Sequence, residues 1–257
     1  MSSRILTAAT VQTVRSISPT VKHLKIHVEN KEVTFKPGQW VDFFIPGVST
    51  TGGFSMCSSP TMLEREQTLD LAVKYSTHPP AHWVHHNCVD GTPVSLQVGG
   101  NFSYEMNAQN LGDNILLIAA GVGINPILSI MKHIHEVHRA NQQHTSSFGN
   151  TLLFYTATSS DELIFKDDIS AMVAEDSSFK THLFATRQSN PTSVTSSNIE
   201  QRRMKREDFE SNLSLLGISP KEVISYMCAP EPMMKEMDAM LTNIGLIKQN
   251  IRYESWW

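Results

Sequence analysis

The feature that most constrains this chain is a change of hydrophobic period near residue 113. Before it, apolar residues alternate with polar ones: Leu24, Ile26 and Val28; Leu69, Leu71, Val73 and Tyr75; Val94, Leu96 and Val98. A period of two predicts strands with one buried and one wet face, as in an antiparallel sheet. Lys36-Pro37-Gly38, Pro46-Gly47, Asp90-Gly91 and Gly99-Gly100 punctuate these runs, and short strands at that spacing predict a small barrel. After it, residues 115–120 form a continuous apolar run, which predicts a strand buried on both faces. A helix is predicted from Pro126 to about Arg139, with Ile127, Ile130, Ile134 and Val137 on one face. Further strands are predicted at 152–155, 182–186 and 223–227, and helices at 161–173 and 232–244, the last closed by Gly245. Alternating strands and helices fold as a doubly wound parallel sheet. The expectation is an antiparallel β-barrel over residues 1–110 and an α/β domain over 111–257, with loops at 141–150 and 188–198.

Composition narrows the function. A length of 257 residues is ample for two cores. With 40% hydrophobic and 18% charged residues the chain is not of the disordered class. A net charge of −4 argues against nucleic acid as the main partner. No apolar run approaches the roughly 20 residues of a membrane span. Cys57, Cys88 and Cys228 lie far apart, so they supply neither a disulfide framework nor an iron–sulfur segment. A soluble protein of the reducing cell interior is expected. Residues 1–28 contain no acidic residue and carry Arg4, Arg15, Lys22 and Lys25, a pattern shared with mitochondrial targeting segments. The alternative, preferred from Thr10 onward, is that residues 10–28 form the first strand of a cytoplasmic protein; residues 1–9 do not decide the matter.

The strongest motif is Ala120-Gly121-Val122-Gly123-Ile124-Asn125-Pro126, between the buried strand and the helix. Glycines allow a tight turn and a close backbone approach to phosphate. The helix start adds unpaired N–H groups and the positive end of its dipole. Asn125 is expected as the N-cap and Pro126 as the first helical residue. Pro126 stands where a Rossmann fingerprint has its third Gly. The competing reading is an ordinary strand-to-helix turn. On the phosphate reading, Gly123→Val blocks the ligand without unfolding the chain.

Other segments join this one: Pro37-Gly38-Gln39-Trp40, Phe54-Ser55 with Ser58-Ser59-Pro60, Gly100-Asn101-Phe102, Cys228-Ala229-Pro230 followed by Met233-Met234, and Glu254-Ser255-Trp256. In this order, over nearly the whole chain, they resemble the signature segments of the ferredoxin–NAD(P)H reductase superfamily. The resemblance implies a flavin-binding Greek-key β-barrel followed by a nicotinamide-nucleotide-binding doubly wound domain. It implies an oxidoreductase passing a hydride from NAD(P)H to FAD or FMN, with electrons going on to an unidentified acceptor. It also implies site residues. Phe54 would stack on the flavin ring, and Ser55 would hydrogen-bond near N5. Gly121, Val122, Gly123, Ile124, Asn125 and Pro126 would line the nucleotide phosphates. Cys228 and Glu254 would lie by the nicotinamide, and Trp256 or Trp257 would cover the flavin. Thr186-Arg187 resembles a pair that some relatives use for the 2′-phosphate of NADP, with Arg202, Arg203, Lys205 and Arg206 as added charge; without evident companion residues, NAD(H) is expected.

Two segments depart from that pattern. Gly52 and Phe54 stand where the family has a phosphate-binding Arg and a Tyr, and Gly52→Arg is expected to restore the donor. His78-Pro79-Pro80-Ala81-His82 replaces a Gly-x-x-Ser/Thr helix start. Weak flavin binding is therefore expected. The alternative function is a non-catalytic NAD(P)-binding module whose barrel serves as an interaction surface. No metal is expected. His82, His85 and His86 have helical spacing but no Cys or carboxylate in register. His135-Glu136-Val137-His138 is one residue short of a zincin pair. The methionines at 227–240 are expected to be core filler.

Overall fold

The computed structural model describes residues 5–106, 110–141, 148–187 and 199–255. The chain divides into two units, 1–105 with 128–134, and 106–127 with 135–257. The first contains β1 (Leu6–Ser16), β2 (Val21–Val28), β3 (Trp40–Phe44), β4 (Gly52–Ser55), α1 (Pro60–Glu66), β5 (Thr68–Lys74), α2 (Pro79–His86) and β6 (Thr92–Gly99). The strands run β4-β3-β6-β1-β2-β5, each antiparallel to its neighbours. Beyond β4, Met56 bridges to Leu71 of β5, and the Cys57 N–H donates to the Asp70 carbonyl at 2.9 Å. That contact brings the two edges together into a near-closed barrel. Val11, Leu24, Ile26, Val28, Val41, Phe43, Leu69 and Leu71 fill its interior.

Two expectations for this region change. Residues 10–28 are not one strand: β1 and β2 pair as a hairpin, from Ala9↔Val28 to Ser16↔Lys22. Residues 1–4, which bear on the targeting reading, lie outside the described residues. β5 has no wet face, since Thr68 through Val73 are all buried. Its second face is covered by α1 and by the segment after β4, where the Ser58 hydroxyl accepts the Asp70 N–H at 3.0 Å.

The second unit contains β7 (Asn114–Ala120), a 3-10 turn (Gly121–Gly123), α3 (Ile124–Ala140), β8 (Thr151–Ala157), α4 (Lys166–Glu175), β9 (Phe179–Ala185), β10 (Ile199–Glu200), α5 (Arg206–Leu215), β11 (Val223–Cys228), α6 (Glu231–Asn243) and β12 (Ile251–Glu254). Helix α3 contributes its 128–134 stretch to the first unit. All strands are parallel, in the order β10-β9-β8-β7-β11-β12. The chain builds outward from β7 on one side and then returns to build on the other. The direction therefore reverses between β7 and β11, and the carboxyl ends of such a pair flank the crevice where open α/β sheets take ligands.

Local geometry corrects the sequence reading in two places. α3 begins at Ile124, two residues early, so Asn125 is not the N-cap; Gly123 is. Pro126 is the third helical residue, tolerated because first-turn amides have no intrahelical acceptor. The helix expected at 161–173 is split. A 3-10 turn (Ser160–Glu162) precedes α4, and Phe165 between them has φ of 61°, which a continuous helix cannot accommodate. Gly245 closes α6 with φ of 104°, as expected.

Candidate functional site

The turn after β7 is where sheet direction reverses. Gly121 has φ of 54°, and a Cβ built there would meet nothing within 4 Å. Its backbone is open to a ligand, and the left-handed φ itself favours glycine. Gly123 has a different reason. A Cβ there would overlap the backbone carbonyl of Cys228, so this glycine lets the end of β11 lie against the turn. The expectation that Gly123→Val spares the fold is therefore corrected: the clash is with backbone, 2.1 Å from the Cys228 carbonyl oxygen, and not with the far end of a flexible side chain. Beneath the turn, Ile124, Asn125 and Pro126 are buried, while Gly121 and Val122 keep surface. The first-turn amides and positive dipole of α3 point to the same edge of the sheet.

β11 delivers the next candidates. In the parallel register Cys228 stands beside Ala119 of β7 on one side and Glu254 of β12 on the other. Two residues opposite each other in a ladder project to the same face. Cys228 is 2% exposed. Burial, with Glu254's charge adding to it, pushes its thiol up to about 12. Burial likewise pushes the Glu254 carboxyl up from the ordinary glutamate value. Immediately after Cys228-Ala229-Pro230, α6 begins at Glu231, a second helix start at this edge.

Thr186 and Arg187 follow β9 at the same edge and are exposed. Their amides donate to the Ala157 and Thr158 carbonyls at 3.0 and 2.8 Å. Two members of the basic run, Arg202 and Arg206, are engaged with acidic partners. Arg202 forms a fork with Asp208 at 2.7 and 2.6 Å, also pairs with Glu200, and lies 5.1 Å over the Phe184 ring. Arg206 holds Glu210 at 2.7 Å. Trp256 and Trp257 lie outside the described residues.

In the barrel, Ser55 is buried at the end of β4, paired with Trp40 of β3. Phe54 is half-buried, edge-on to Phe43 with centroids 5.7 Å apart. It also covers Gly52, where a Cβ would lie 2.6 Å from the Phe54 ring and 2.9 Å from Pro80 Cβ. Trp40 lies over Gly99 and Gly100, where a Cβ would come within 2.8 and 2.5 Å of the indole. The Ser58 carbonyl accepts from the Ser129 hydroxyl at 2.7 Å. Thus Ser58, which lies in the segment that resembles a flavin-binding one, also has a packing reason of its own, and Trp40 covers the two glycines at the end of β6. α2 opens with Pro79 and Pro80, neither of which has an N–H; the His82 amide donates to the His78 carbonyl at 2.9 Å.

The histidines have local partners. The His82 and His86 rings lie 4.2 Å apart at a tilt, and His85 Nε2 lies 2.9 Å from the Val73 carbonyl. His138 Nδ1 meets Asp176 at 2.8 Å, while His135 Nε2 faces Glu175 at 3.5 Å. Burial lowers the pKa of His138, outweighing the pull of Asp176. Among the described residues, no group of three or more His, Cys, Asp and Glu side chains is arranged to hold a metal ion, and no helix is long and apolar enough to cross a membrane. Sequence reasoning missed the β11–β12 pairing that sets Cys228 beside Glu254, because residues 251–254 carry only a short, weakly alternating signal.

Residues 117–239 match the oxidoreductase NAD-binding domain. Over 254 residues, the chain is 40% identical to oxidoreductase NAD-binding domain-containing protein 1 of Danio rerio, a match spanning 98% of this chain and 92% of that protein. The chain belongs to that family. As a member of the oxidoreductase NAD-binding domain-containing protein 1 family, it is an oxidoreductase with an NAD(P)-binding domain. Its fold is that of ferredoxin reductase-like proteins. The Flavohem-like FAD/NAD-binding domain of nitric oxide dioxygenase from Vibrio cholerae O1 biovar El Tor has a TM-score of 0.76 at 18% identity, with 97% of this chain and 98% of that one covered. A ferredoxin NADP+ reductase from Neisseria gonorrhoeae, solved with bound FAD and NADP, has a TM-score of 0.74 at 19% identity, with 98% and 99% covered.

Proposed function

We propose that this chain oxidises NAD(P)H, with NADH preferred, by hydride transfer to a flavin, and that the electrons go on to an acceptor outside the chain. When bound, the cofactors supply the chemistry: nicotinamide C4 gives the hydride and flavin N5 takes it. The observation that carries the reading is the open backbone at Gly121 in the same sheet edge as the Cys228–Glu254 pair. A dinucleotide fits there. The Gly121 and Val122 backbone can approach a diphosphate, and the start of α3 supplies the positive field.

The nearby side chains then suit a nicotinamide. With its thiol pushed up to about 12, Cys228 stays protonated at neutral pH and offers a neutral, polarisable surface. Glu254 supplies a carboxyl whose proton is held more tightly than usual. On the barrel side, Phe54 would meet the flavin ring and Ser55 would hydrogen-bond near N5. The test is NADH consumption by purified protein, with and without added flavin and an artificial electron acceptor. Flavin-dependent consumption that Gly121→Ala diminishes supports the reading. NADH binding without any flavin-dependent consumption would instead leave a nicotinamide-binding module.

A further inference from the structure

An anionic flavin tail needs hydrogen-bond donors, and this barrel has closed two places that would supply them. The first is position 52. It lacks a side chain, and the space above it is taken: a Cβ would fall 2.6 Å from the Phe54 ring and 2.9 Å from Pro80 Cβ. The ring could turn away, but Pro80 is rigid and sits at the start of a helix. The second is the start of α2. A helix ordinarily presents its first amides to an anion. Here the first two helical residues are Pro79 and Pro80, so two of those amides carry no hydrogen. The His82 amide already donates to the His78 carbonyl, which leaves Ala81 as the first-turn amide that still has a proton to give. These two losses adjoin each other, because Pro80 is the residue that packs on Gly52. Lys74 at the end of β5 and His82 and His86 on α2 are all exposed, and the two imidazoles lie 4.2 Å apart at a tilt. Water-facing charges of this kind hold an anion weakly.

We propose that the chain recognises a flavin by its ring and not by its phosphates, so that flavin is a diffusible substrate and riboflavin, FMN and FAD serve alike. This rests on the flavin reading above and specifies its substrate class. In the balanced reaction, a hydride from NAD(P)H and one proton from water reduce the flavin. NAD(P)+ and the reduced flavin then both depart.

The test is a fluorescence-quenching titration of the wild-type chain with riboflavin, FMN and FAD, beside the NADH-consumption assay. Dissociation constants within about threefold of one another are expected, together with protein that emerges from gel filtration without flavin. A charge-assisted hydrogen bond to phosphate is worth about tenfold or more in affinity. FMN or FAD binding about tenfold tighter than riboflavin would therefore overturn the proposal. Loss of that preference in Lys74→Ala or His82→Ala would show which side chain holds the phosphate. Equal binding of all three without NADH consumption would keep recognition by the ring but overturn both the substrate assignment and the hydride-transfer reading. No binding of any flavin would sink both.

Discussion

Gly121 and Gly52 each stand where the sequence leads one to expect a phosphate. A Cβ at Gly121 would meet nothing within 4 Å, whereas one at Gly52 would fall 2.6 Å from the Phe54 ring and 2.9 Å from Pro80. The first glycine leaves room for a ligand; the second leaves room for the chain itself. Gly123, two residues from Gly121, is of the second kind, since it makes way for the Cys228 carbonyl. A glycine in a nucleotide motif thus carries two different messages, and only the clearance over its Cα separates them. In the α/β unit the space over Gly121 stays open, while in the barrel the space over Gly52 is packed by Phe54 and Pro80.

The largest effect should come from Gly123→Val. Its side chain meets backbone, so destabilisation of about 3 kcal/mol or more is expected, at or beyond the upper end of ordinary overpacking. Denaturant unfolding measures this, and a folded variant with wild-type stability would show that the turn can separate from β11.

Next is Gly52→Arg, which tests the barrel side of the comparison. The expected outcome is a loss of about 1–3 kcal/mol, with no gain in flavin retention. This outcome is opposite to the expectation, drawn from the resemblance, that an arginine restores a phosphate donor. Tighter FAD binding in a stable variant would mean that Phe54 and Pro80 yield easily.

Gly121→Ala probes the open glycine. The left-handed backbone should cost about 1–2 kcal/mol of stability, and NADH affinity by calorimetry should fall by about tenfold, which is about 1.4 kcal/mol. Unchanged NADH affinity would remove this turn from the site.

A pH measurement sharpens the same region. The folded Cys228 thiol lies near 12, above its reference value of 9.0. The protonated thiol is therefore favoured by folding. That contribution is fully present below pH 9 and disappears as pH rises toward 12. Accordingly, Cys228 should resist alkylation at pH 8 in the native protein and react once unfolded, as mass mapping of the labelled thiol would reveal.

The smallest effect is expected from Arg187→Ala. With NADH preferred and Arg187 exposed, the ratio of NADPH to NADH affinity should change by less than about threefold. A NADPH preference erased by this substitution would assign Arg187 to a 2′-phosphate.

Much of the architecture was legible because local patterns report local forces. The alternation at Leu24-Ile26-Val28 marked a barrel strand, and the apolar run at 115–120 marked a doubly buried one. Gly245 marked a helix end through its positive φ. What escaped were elements held by their neighbours. β12 is four residues long and exists because β11 offers it a parallel edge. The wet face expected on β5 vanished under α1 and the Ser58–Asp70 contact. Phe165 breaks a stretch whose composition suits a helix, at a φ no periodicity announces.

By itself, the sequence determined the two hydrophobic periods, hence a barrel followed by a doubly wound sheet. It also determined the glycine-bearing turn between β7 and α3, and the loss of two amide hydrogens at Pro79 and Pro80. These follow from side-chain chemistry and from spacing along the chain. Tertiary structure alone decided that Cys228 lies beside Glu254, that Gly123 serves β11 while Gly121 stays open, and that Phe54 and Pro80 close over Gly52. The physical reason is that clearance and desolvation depend on atoms brought close by folding, often from residues far apart in the chain.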